Sequence, residues 1–188
     1  MLERILDAGQ QVLVDHGYDG TSTNRIAAAA GISPGSLYQY FPNKDAIMSA
    51  ILDRFSDTLT SRVTEHLSGQ FDQPPPVVIR TTLAELLDAL DVHPELQRAA
   101  VEHAPRLDDG RRLREFEQRV GDLATAYLTA RRDILPTDDV PISATAWMIV
   151  RTVEHLTVRY LLDRPALTRD QFLDELTRLT LNYLRPPT

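Results

Sequence analysis

Apolar residues recur along this chain at intervals of three and four positions, which is the spacing of one face of an α-helix. Clusters of glycine, proline or small polar residues separate the periodic segments, and none of them alternates apolar and polar residues as a half-buried strand does. The pattern predicts an all-α fold of about nine helices. They cover about 2–16, 43–67, 77–92, 95–104, 109–133, 142–163 and 169–184, with two short helices between 23 and 41.

Start and stop signals place the ends of these helices. Gly17 ends the first one, and Asn43 caps the long fourth helix. Thr168 and Gln171 have the spacing of a capping box that opens the last helix. The intervening breakers are 69–76, His93-Pro94, Ala104-Pro105 with Asp108-Asp109-Gly110, Pro136 to Pro141, and Arg164-Pro165.

The two short helices form a helix-turn-helix pattern. Thr23 is a candidate N-cap of the first, and Gly31 provides the left-handed backbone that ends it. Ser33 caps the second, with Pro34 at its first position. The pattern turns apolar residues inward (Ile26, Ala27, Ile32, Leu37 and Phe41) and leaves polar and aromatic ones facing outward (Ser36, Tyr38, Gln39 and Tyr40).

These residues carry a family resemblance. Ile26-Ala27, Gly31-Ile32-Ser33, Gly35-Ser36-Leu37-Tyr38, Tyr40-Phe41 and Asn43-Lys44 resemble the N-terminal DNA-binding domain of TetR-type (tetracycline-repressor-like) transcriptional regulators. The resemblance covers roughly the first quarter of the chain. It implies a three-helix DNA-binding domain at 1–46, followed at 47–188 by a helical bundle that binds an effector and dimerises.

The same resemblance implies roles for individual residues. The second short helix enters the major groove, and double-stranded operator DNA is the partner. Thr23, Tyr40 and Lys44 contact chiefly phosphates, which fix register. Base contacts fall to Ser36 and Gln39, with Ser33, Gly35 and Tyr38 as further candidates, and to Asn24 or Arg25 of the preceding helix. The alternatives are rings of Tyr38 and Tyr40 that pack inside the small domain, and an Arg25 that is merely solvated.

The net charge of the chain argues against DNA binding. The 188-residue chain carries −7, and residues 1–46 hold three basic against five acidic residues. The window from Ser22 to Lys44, however, has two basic residues and no acidic one, so the surface that would meet phosphate is locally positive. A second hypothesis therefore stays open, in which the protein is a helical dimeric protein-interaction module with weak or no DNA binding.

Composition excludes several other classes. Without cysteine there are no disulfides and no cysteine-ligated metals. No apolar run is long enough to span a membrane, and the first residues form no signal peptide, so we expect a cytoplasmic protein. The histidines form no metal-binding motif, and neither a nucleophile elbow nor a phosphate loop is present. We therefore expect no enzyme activity, no cofactor and no metal.

The last two long helices, 142–163 and 169–184, are apolar on more than one side. A helix of this kind requires burial against two neighbours. This favours a homodimer that pairs these two helices with their copies in a second chain, over the alternative of an ordinary monomer core.

The resemblance also implies a small-molecule effector, of an identity that the sequence does not name, whose binding changes the spacing of the two DNA-binding domains. Plain core packing is the alternative for every candidate lining residue. The candidates lie on the middle helices and are mainly apolar: Trp147, His103, Tyr127, Phe116, Met148, Val101 and Arg151, with Leu90 and Leu123 beside them. The resulting prediction is a ligand-responsive transcriptional regulator, a repressor that a small molecule releases from a palindromic operator. Activation in place of repression is the alternative.

Overall fold

A computed structural model of the chain describes residues 1–108, 111–135 and 141–184, with the side chains of 104–108, 112, 113 and 133 excepted. Within these ranges there are nine α-helices and no strand, which confirms the predicted all-α class. A short 3₁₀ turn covers Arg132–Ile134. The helices are α1 Leu2–Gly20, α2 Thr23–Ala29, α3 Pro34–Tyr38, α4 Lys44–Ser68, α5 Pro75–Asp91, α6 Pro94–Asp108, α7 Arg111–Ala130, α8 Ile142–Asp163 and α9 Arg169–Leu184.

Two helix ends near the N-terminus differ in detail from the prediction. Helical geometry is interrupted at Gly17, as predicted, but a further helical turn follows and extends α1 to Gly20. The N-cap of α2 is Ser22 and not Thr23, because Ser22 has the extended backbone and its Oγ accepts the N–H of Arg25 at 3.3 Å. Thr23 is the first helical residue, which leaves its hydroxyl available to other groups.

The prediction that α6 ends near residue 104 is wrong. Its backbone stays helical to Asp108 and passes through Pro105. An interior proline removes one N–H from the helical ladder and crowds the carbonyl four residues earlier, so a helix can continue beyond it only at a cost in stability. The predicted breakers at 109–110 and 136–140 lie outside the described residues.

The remaining caps are confirmed by their hydrogen bonds. The Ser33 Oγ accepts the N–H of Ser36 at 3.1 Å, and the Asn43 Oδ1 accepts the N–H of Ala46 at 2.8 Å. Thr168 and Gln171 form the reciprocal capping box: each backbone N–H donates to the other side chain, at 2.9 and 3.2 Å. Each cap satisfies N–H groups that a helix start leaves without a partner, so these ends are encoded locally.

The chain packs into two compact units. The first comprises Met1–Thr58 and Val92–Leu113, and the second comprises Leu59–Asp91 and Arg114–Thr188. In packing terms, α6 and the first half of α4 thus belong with the N-terminal helices, although they lie beyond residue 46. The functional division at residue 46 stays a prediction.

The first unit is built around fully buried aliphatic side chains of α1 to α4, including Ile5, Ile26 and Ile47. Leu96 of α6 is buried in the same cluster. On the surface of this unit, the Arg54 guanidinium donates to Asp7 at 2.7 Å and links α4 to α1. Because buried residues of α2 and α3 share this cluster with those of α1 and α4, the orientation of the two short helices is fixed by the core.

The second unit contains two apolar clusters. In one, Leu83 and Leu87 of α5 pack on Leu173 and neighbouring residues of α9. The other surrounds Tyr127 of α7 and includes residues from α4, α5, α8 and α9. None of the described helices combines the length and the apolar character that crossing a membrane requires.

The turn between α2 and α3 depends on Gly31. Its φ of 63° lies in the left-handed region, its N–H donates to the Ala28 carbonyl at 3.1 Å, and the next N–H, of Ile32, donates to the Ala27 carbonyl at 3.0 Å. This pair of bonds is a Schellman end with glycine at the left-handed position.

We expect Gly31→Ala to lower the free energy of unfolding by about 1–2 kcal/mol, because a Cβ is disfavoured in the left-handed region. Nothing lies within 4 Å of the position that the Cβ would take, so the loss comes from the backbone alone. Urea denaturation followed by circular dichroism measures it. Gly35→Ala, at an exposed helical position, is the control, and an equal or smaller loss in Gly31→Ala would contradict this account.

Candidate DNA-binding surface and effector cavity

The ten residues predicted to contact DNA all reach the surface of the first unit. They form what we call the recognition surface. Asn24, Arg25, Ser33, Gly35, Tyr38, Gln39 and Tyr40 are exposed, and Thr23, Ser36 and Lys44 are partly exposed. The inward set behaves as predicted, since Ile26, Ala27, Leu37 and Phe41 are buried and Ile32 packs against the same core. Contact with DNA itself stays a prediction for each of the ten.

Both tyrosine rings of the recognition surface point outward. Tyr38 is 52% exposed and Tyr40 is 46% exposed, so neither ring packs inside the small unit. The Tyr38 hydroxyl lies 3.2 Å from the Thr23 Oγ1, a hydrogen bond that links α3 to α2. This bond fixes the Tyr38 ring, whereas the described structure gives Gln39 and Tyr40 no side-chain hydrogen bond.

Lys44 sits at the edge of this surface in a cluster around Tyr18. Its Nζ donates to the Tyr18 carbonyl at 3.1 Å and lies 4.1 Å from the centre of the Tyr18 ring. The Tyr18 hydroxyl donates to Asp45 Oδ1 at 2.6 Å. An ammonium group has three donors, so Lys44 keeps donors for a phosphate while the cluster fixes its position.

The other face of Tyr18 carries a residue that was predicted to bind the effector. The His103 ring of α6 stacks on Tyr18, with 3.8 Å between ring centres and 24° between planes. His103 therefore lies in the first unit, where it contacts the same Tyr18 ring as Lys44 does. Sequence reasoning had no signal for this stack, because it depends on how α6 packs on α1.

The electrostatics of the recognition surface depend on few charges. Arg25 donates one guanidinium N–H to the Gly20 carbonyl and remains exposed. Together with Lys44 it is a basic residue in a segment, 22–44, that contains no acidic one. Two copies of this surface in a dimer would present four cations to a duplex.

The second unit contains an apolar cavity of about 110 Å³. Five helices contribute to its wall, and the lining is aliphatic or aromatic apart from four residues with polar groups: Thr82, Tyr127, Glu154 and Thr180. The apolar lining residues are Val63, Leu67, Val78, Ile79, Leu83, Leu86, Phe116, Val120, Ala124, Leu128, Ile149, Val150, Val153 and Leu184. An apolar cavity of comparable size, roughly 150 Å³, stays dry and accepts a small ligand such as benzene.

The predicted effector residues divide between this cavity and other places. Phe116 and Tyr127 line the cavity. The remaining candidates do not: Trp147, Met148 and Val101 are exposed, His103 stacks on Tyr18, and Arg151 forms an ion pair with Glu117. Leu90 is buried elsewhere, and Leu123 packs beside the cluster around Tyr127.

Two carboxylates lie at or near the cavity. Glu154 lines it and is half-buried; burial raises its pKa most, and the negative charge of Glu117 raises that pKa further. Glu117 is only 8% exposed, and burial raises its pKa too, in spite of the opposing charge of Arg151. Glu117 Oε1 accepts from Arg151, whereas Oε2 has no hydrogen-bond donor in the described structure.

The raised pKa of Glu154 predicts a pH-dependent loss of stability. Between the ordinary glutamate pKa, near about 4.3, and the raised native value, the native state holds more protons than the unfolded chain, so stability falls as pH rises. We expect Glu154→Gln to unfold at the same temperature as the parent near pH 4 and at a higher temperature near pH 7. Scanning calorimetry across this range measures the difference. A variant that is less stable than the parent at pH 7 would contradict the prediction.

Two family models match the sequence in consecutive segments. The model described as bacterial regulatory proteins, tetR family, matches residues 5–51, which include the whole recognition surface. The model described as Tetracyclin repressor-like, C-terminal domain, matches residues 74–184 and with them more than half of the chain. The chain belongs to the tetR family. The family predicted from the helix-turn-helix residues is therefore confirmed.

Individual relatives of this tetR-family chain are distant. The HTH-type transcriptional repressor DhaR of Mycobacterium sp. strain GP1 is 27% identical over 180 residues, 91% of this chain and 87% of DhaR. The nucleoid occlusion factor SlmA of Glaesserella parasuis is also 27% identical, but over 50% of this chain and 46% of SlmA, so the chain spans about half the length of that relative. Thermus thermophilus FadR, a TetR-family transcriptional repressor solved with lauroyl-CoA, shares the fold with a TM-score of 0.66 at 22% identity, covering 100% of this chain and 97% of FadR.

Most of the cavity wall of this tetR-family chain was missed from the sequence. The lining residues of α4, α5 and α9 look like ordinary core positions, and only the three-dimensional packing leaves space between them. One signal was available. Glu154 continues the apolar positions Ile149, Val150 and Val153 at helical spacing, and a charged residue in an apolar stripe is the unusual observation.

Proposed function

We propose that this tetR-family chain is a ligand-responsive DNA-binding repressor that a small molecule releases from a palindromic operator. The observation that carries the proposal is the recognition surface. A short helix with a Ser33 cap presents Tyr38, Gln39 and Tyr40 outward beside Lys44, on a segment without acidic residues. Exposed polar and aromatic side chains at the second helix of a helix-turn-helix are the groups that read a major groove.

Roles within the recognition surface follow from chemistry and position. We assign Thr23, Tyr40 and Lys44 to phosphates, since hydroxyl and ammonium groups donate to phosphate oxygens. Gln39 is the main candidate for base contact, because its amide pairs with an adenine edge. The Ser33 hydroxyl is occupied by its cap and by Ser36, which favours Gln39 over either serine as the main base contact. Asn24, Arg25, Gly35 and Tyr38 complete the proposed contact surface.

The cavity provides the site for an effector. Its apolar lining with few polar groups is typical of small-molecule sites. The similarity to DhaR, a transcriptional repressor, and to FadR, a transcriptional repressor solved with lauroyl-CoA, supports the same kind of control here. One helix, α4, contributes Lys44 at one end and the cavity residues Val63 and Leu67 near the other.

We propose that the effector and DNA oppose each other through a shift of population. The effector binds a conformation in which the two recognition helices of the dimer are wrongly spaced for successive major grooves. By linkage, operator DNA then weakens effector binding by the same factor as effector weakens operator binding.

A homodimer through α8 and α9 supplies the two-fold symmetry that a palindrome requires. Exposed apolar side chains on these helices support it: Trp147, Met148, Leu179 and Tyr183 are each between 43% and 58% exposed. Large apolar groups that face solvent together are typical of an interaction surface.

We expect Leu179→Glu to weaken dimerisation at least about 100-fold, because each interface would receive two unpaired carboxylates. Analytical ultracentrifugation across a concentration series measures the dissociation constant. Val77→Glu is the matched control, since Val77 is similarly exposed but lies on α5. A variant at position 179 that stays as dimeric as the control would place the interface elsewhere.

Selection of bound duplexes from a random library tests the DNA-binding part of the proposed function. The purified chain is expected to enrich a two-fold symmetric sequence with half-sites about 34 Å apart, which is one helical turn. Enrichment of no sequence at low salt would overturn the DNA-binding assignment and favour the protein-interaction alternative.

A further inference from the structure

The wall of the apolar cavity contains one carboxylate, Glu154. It follows Val150 and Val153 on the face of α8 that lines the cavity. Within the described residues, Glu154 receives no hydrogen bond and has no cation within ion-pair distance. A half-buried carboxylate without such partners is costly, and proteins rarely retain one without a reason.

The Arg151 guanidinium, whose charge favours the ionised form of Glu154, is already engaged. Arg151 forms its ion pair with Glu117, and its guanidinium lies 5.9 Å from the centre of the Trp147 ring. Glu117 itself lacks part of its hydrogen bonding, because its Oε2 is buried and accepts no hydrogen bond in the described structure. The charges of Arg151 and Arg114 both act on Glu117, whereas Glu154 accepts a hydrogen bond from neither in the described structure.

We propose that the effector is a small amphipathic cation, with an apolar body that fills the cavity and a protonated amine that binds Glu154. This proposal rests on the effector site of the proposed function and specifies the ligand that it accepts. The amine would supply the positive charge and the hydrogen-bond donors that Glu154 lacks. Charge-assisted hydrogen bonds of this kind are stronger than neutral ones, and more so at a site with few water molecules.

The same site discriminates against other head groups. An anionic amphiphile, such as a fatty acid, would place a third negative charge beside those of Glu154 and Glu117. A neutral alcohol would fill the apolar space equally well but would offer a single donor and no charge. Affinity should therefore follow the head group at constant chain length.

Isothermal titration calorimetry of the protein with n-octylammonium, n-octanol and octanoate tests this ranking, because the three probes each contain eight carbon atoms and carry different head groups. We expect n-octylammonium to bind at least about tenfold more tightly than n-octanol, and octanoate to bind most weakly. Glu154→Gln is expected to lose at least that factor for n-octylammonium and to bind n-octanol unchanged. Glu65→Gln, which removes an exposed carboxylate from the same unit, is the matched control and should bind all three probes as the parent does.

The results separate the ligand class from the proposed function. If n-octanol or octanoate binds the parent as tightly as n-octylammonium, if none of the three binds, or if Glu154→Gln affects all probes equally, the cationic effector is overturned. If n-octylammonium binds through Glu154 but leaves a selected operator duplex bound, the ligand class stands and the proposed release mechanism fails. Failure to bind any duplex would remove the DNA-binding function without affecting the ligand class.

Discussion

Replacing Lys44 with glutamine is expected to weaken operator binding about 100-fold at physiological salt. Each protomer would lose one charge-assisted phosphate contact, and a dimer loses two; a hydrogen bond to a charged group contributes about 1.5–3 kcal/mol, so two such losses reach at least that factor. Salt dependence should change as well. With Arg25 and Lys44 contacting about four phosphates per dimer, the parent should show a slope of log affinity against log salt near about −4, and the variant a slope near about −2.

Fluorescence anisotropy of a labelled operator duplex at four salt concentrations measures both quantities. Arg98→Gln is the matched control, because it removes an exposed cation from the same unit at a position outside the recognition surface. Lys44 also contacts Tyr18, so the melting temperature is recorded for both variants to separate lost contact from lost structure. A folded Lys44 variant with the parent slope would show that this ammonium reaches no phosphate.

Filling the cavity is expected to separate the two proposed activities, effector binding and operator binding. Ala124→Phe adds a phenyl ring to a position in the cavity wall, where about 110 Å³ is open. Because a cavity of roughly 150 Å³ holds a benzene ring, this substitution occupies most of the space. We expect effector affinity to fall at least about 30-fold, while operator affinity stays within about twofold of the parent, since Ala124 belongs to the second unit and is not part of the recognition surface.

Calorimetry with n-octylammonium and n-octanol, together with operator anisotropy, measures the two affinities in parallel. Ala126→Phe provides a close control, because this alanine lies two residues along α7 and is exposed. Both probes should be excluded by the Ala124 variant whichever head group the site prefers. A variant that still binds the probes with parental affinity would show that the effector lies outside this cavity.

The features that the sequence predicted correctly are the local ones. Ser33 and Asn43 cap their helices through bonds to residues three positions away, and Gly31 adopts the left-handed backbone that its position requires. Such signals lie within one turn of chain and are readable without tertiary information. The recognition surface is built almost entirely from them, which explains why its exposed residues were predicted together.

The features that the sequence could not predict depend on distant segments. His103 stacks on Tyr18 across 85 positions of chain, and the cavity wall runs from Val63 to Leu184. Trp147 was predicted to line the cavity because it is a large aromatic residue. Its side chain is instead 58% exposed and is not part of the cavity wall. Apolar character alone does not distinguish a residue that lines a cavity from one that fills a core or an interface. The charge of Glu154 does provide such a signal, because a carboxylate is unusual among apolar positions of a helix.

Hydroxyl-radical footprinting on a selected duplex tests the central claim, that the recognition surface binds two successive major grooves as a symmetric dimer. The parent protein is expected to protect two equivalent segments about one helical turn apart. A Gln39→Ala, Tyr40→Ala double variant with the parental melting temperature is expected to protect neither at the same concentration. A single asymmetric protected segment, or the parental footprint retained by the double variant, would contradict the account.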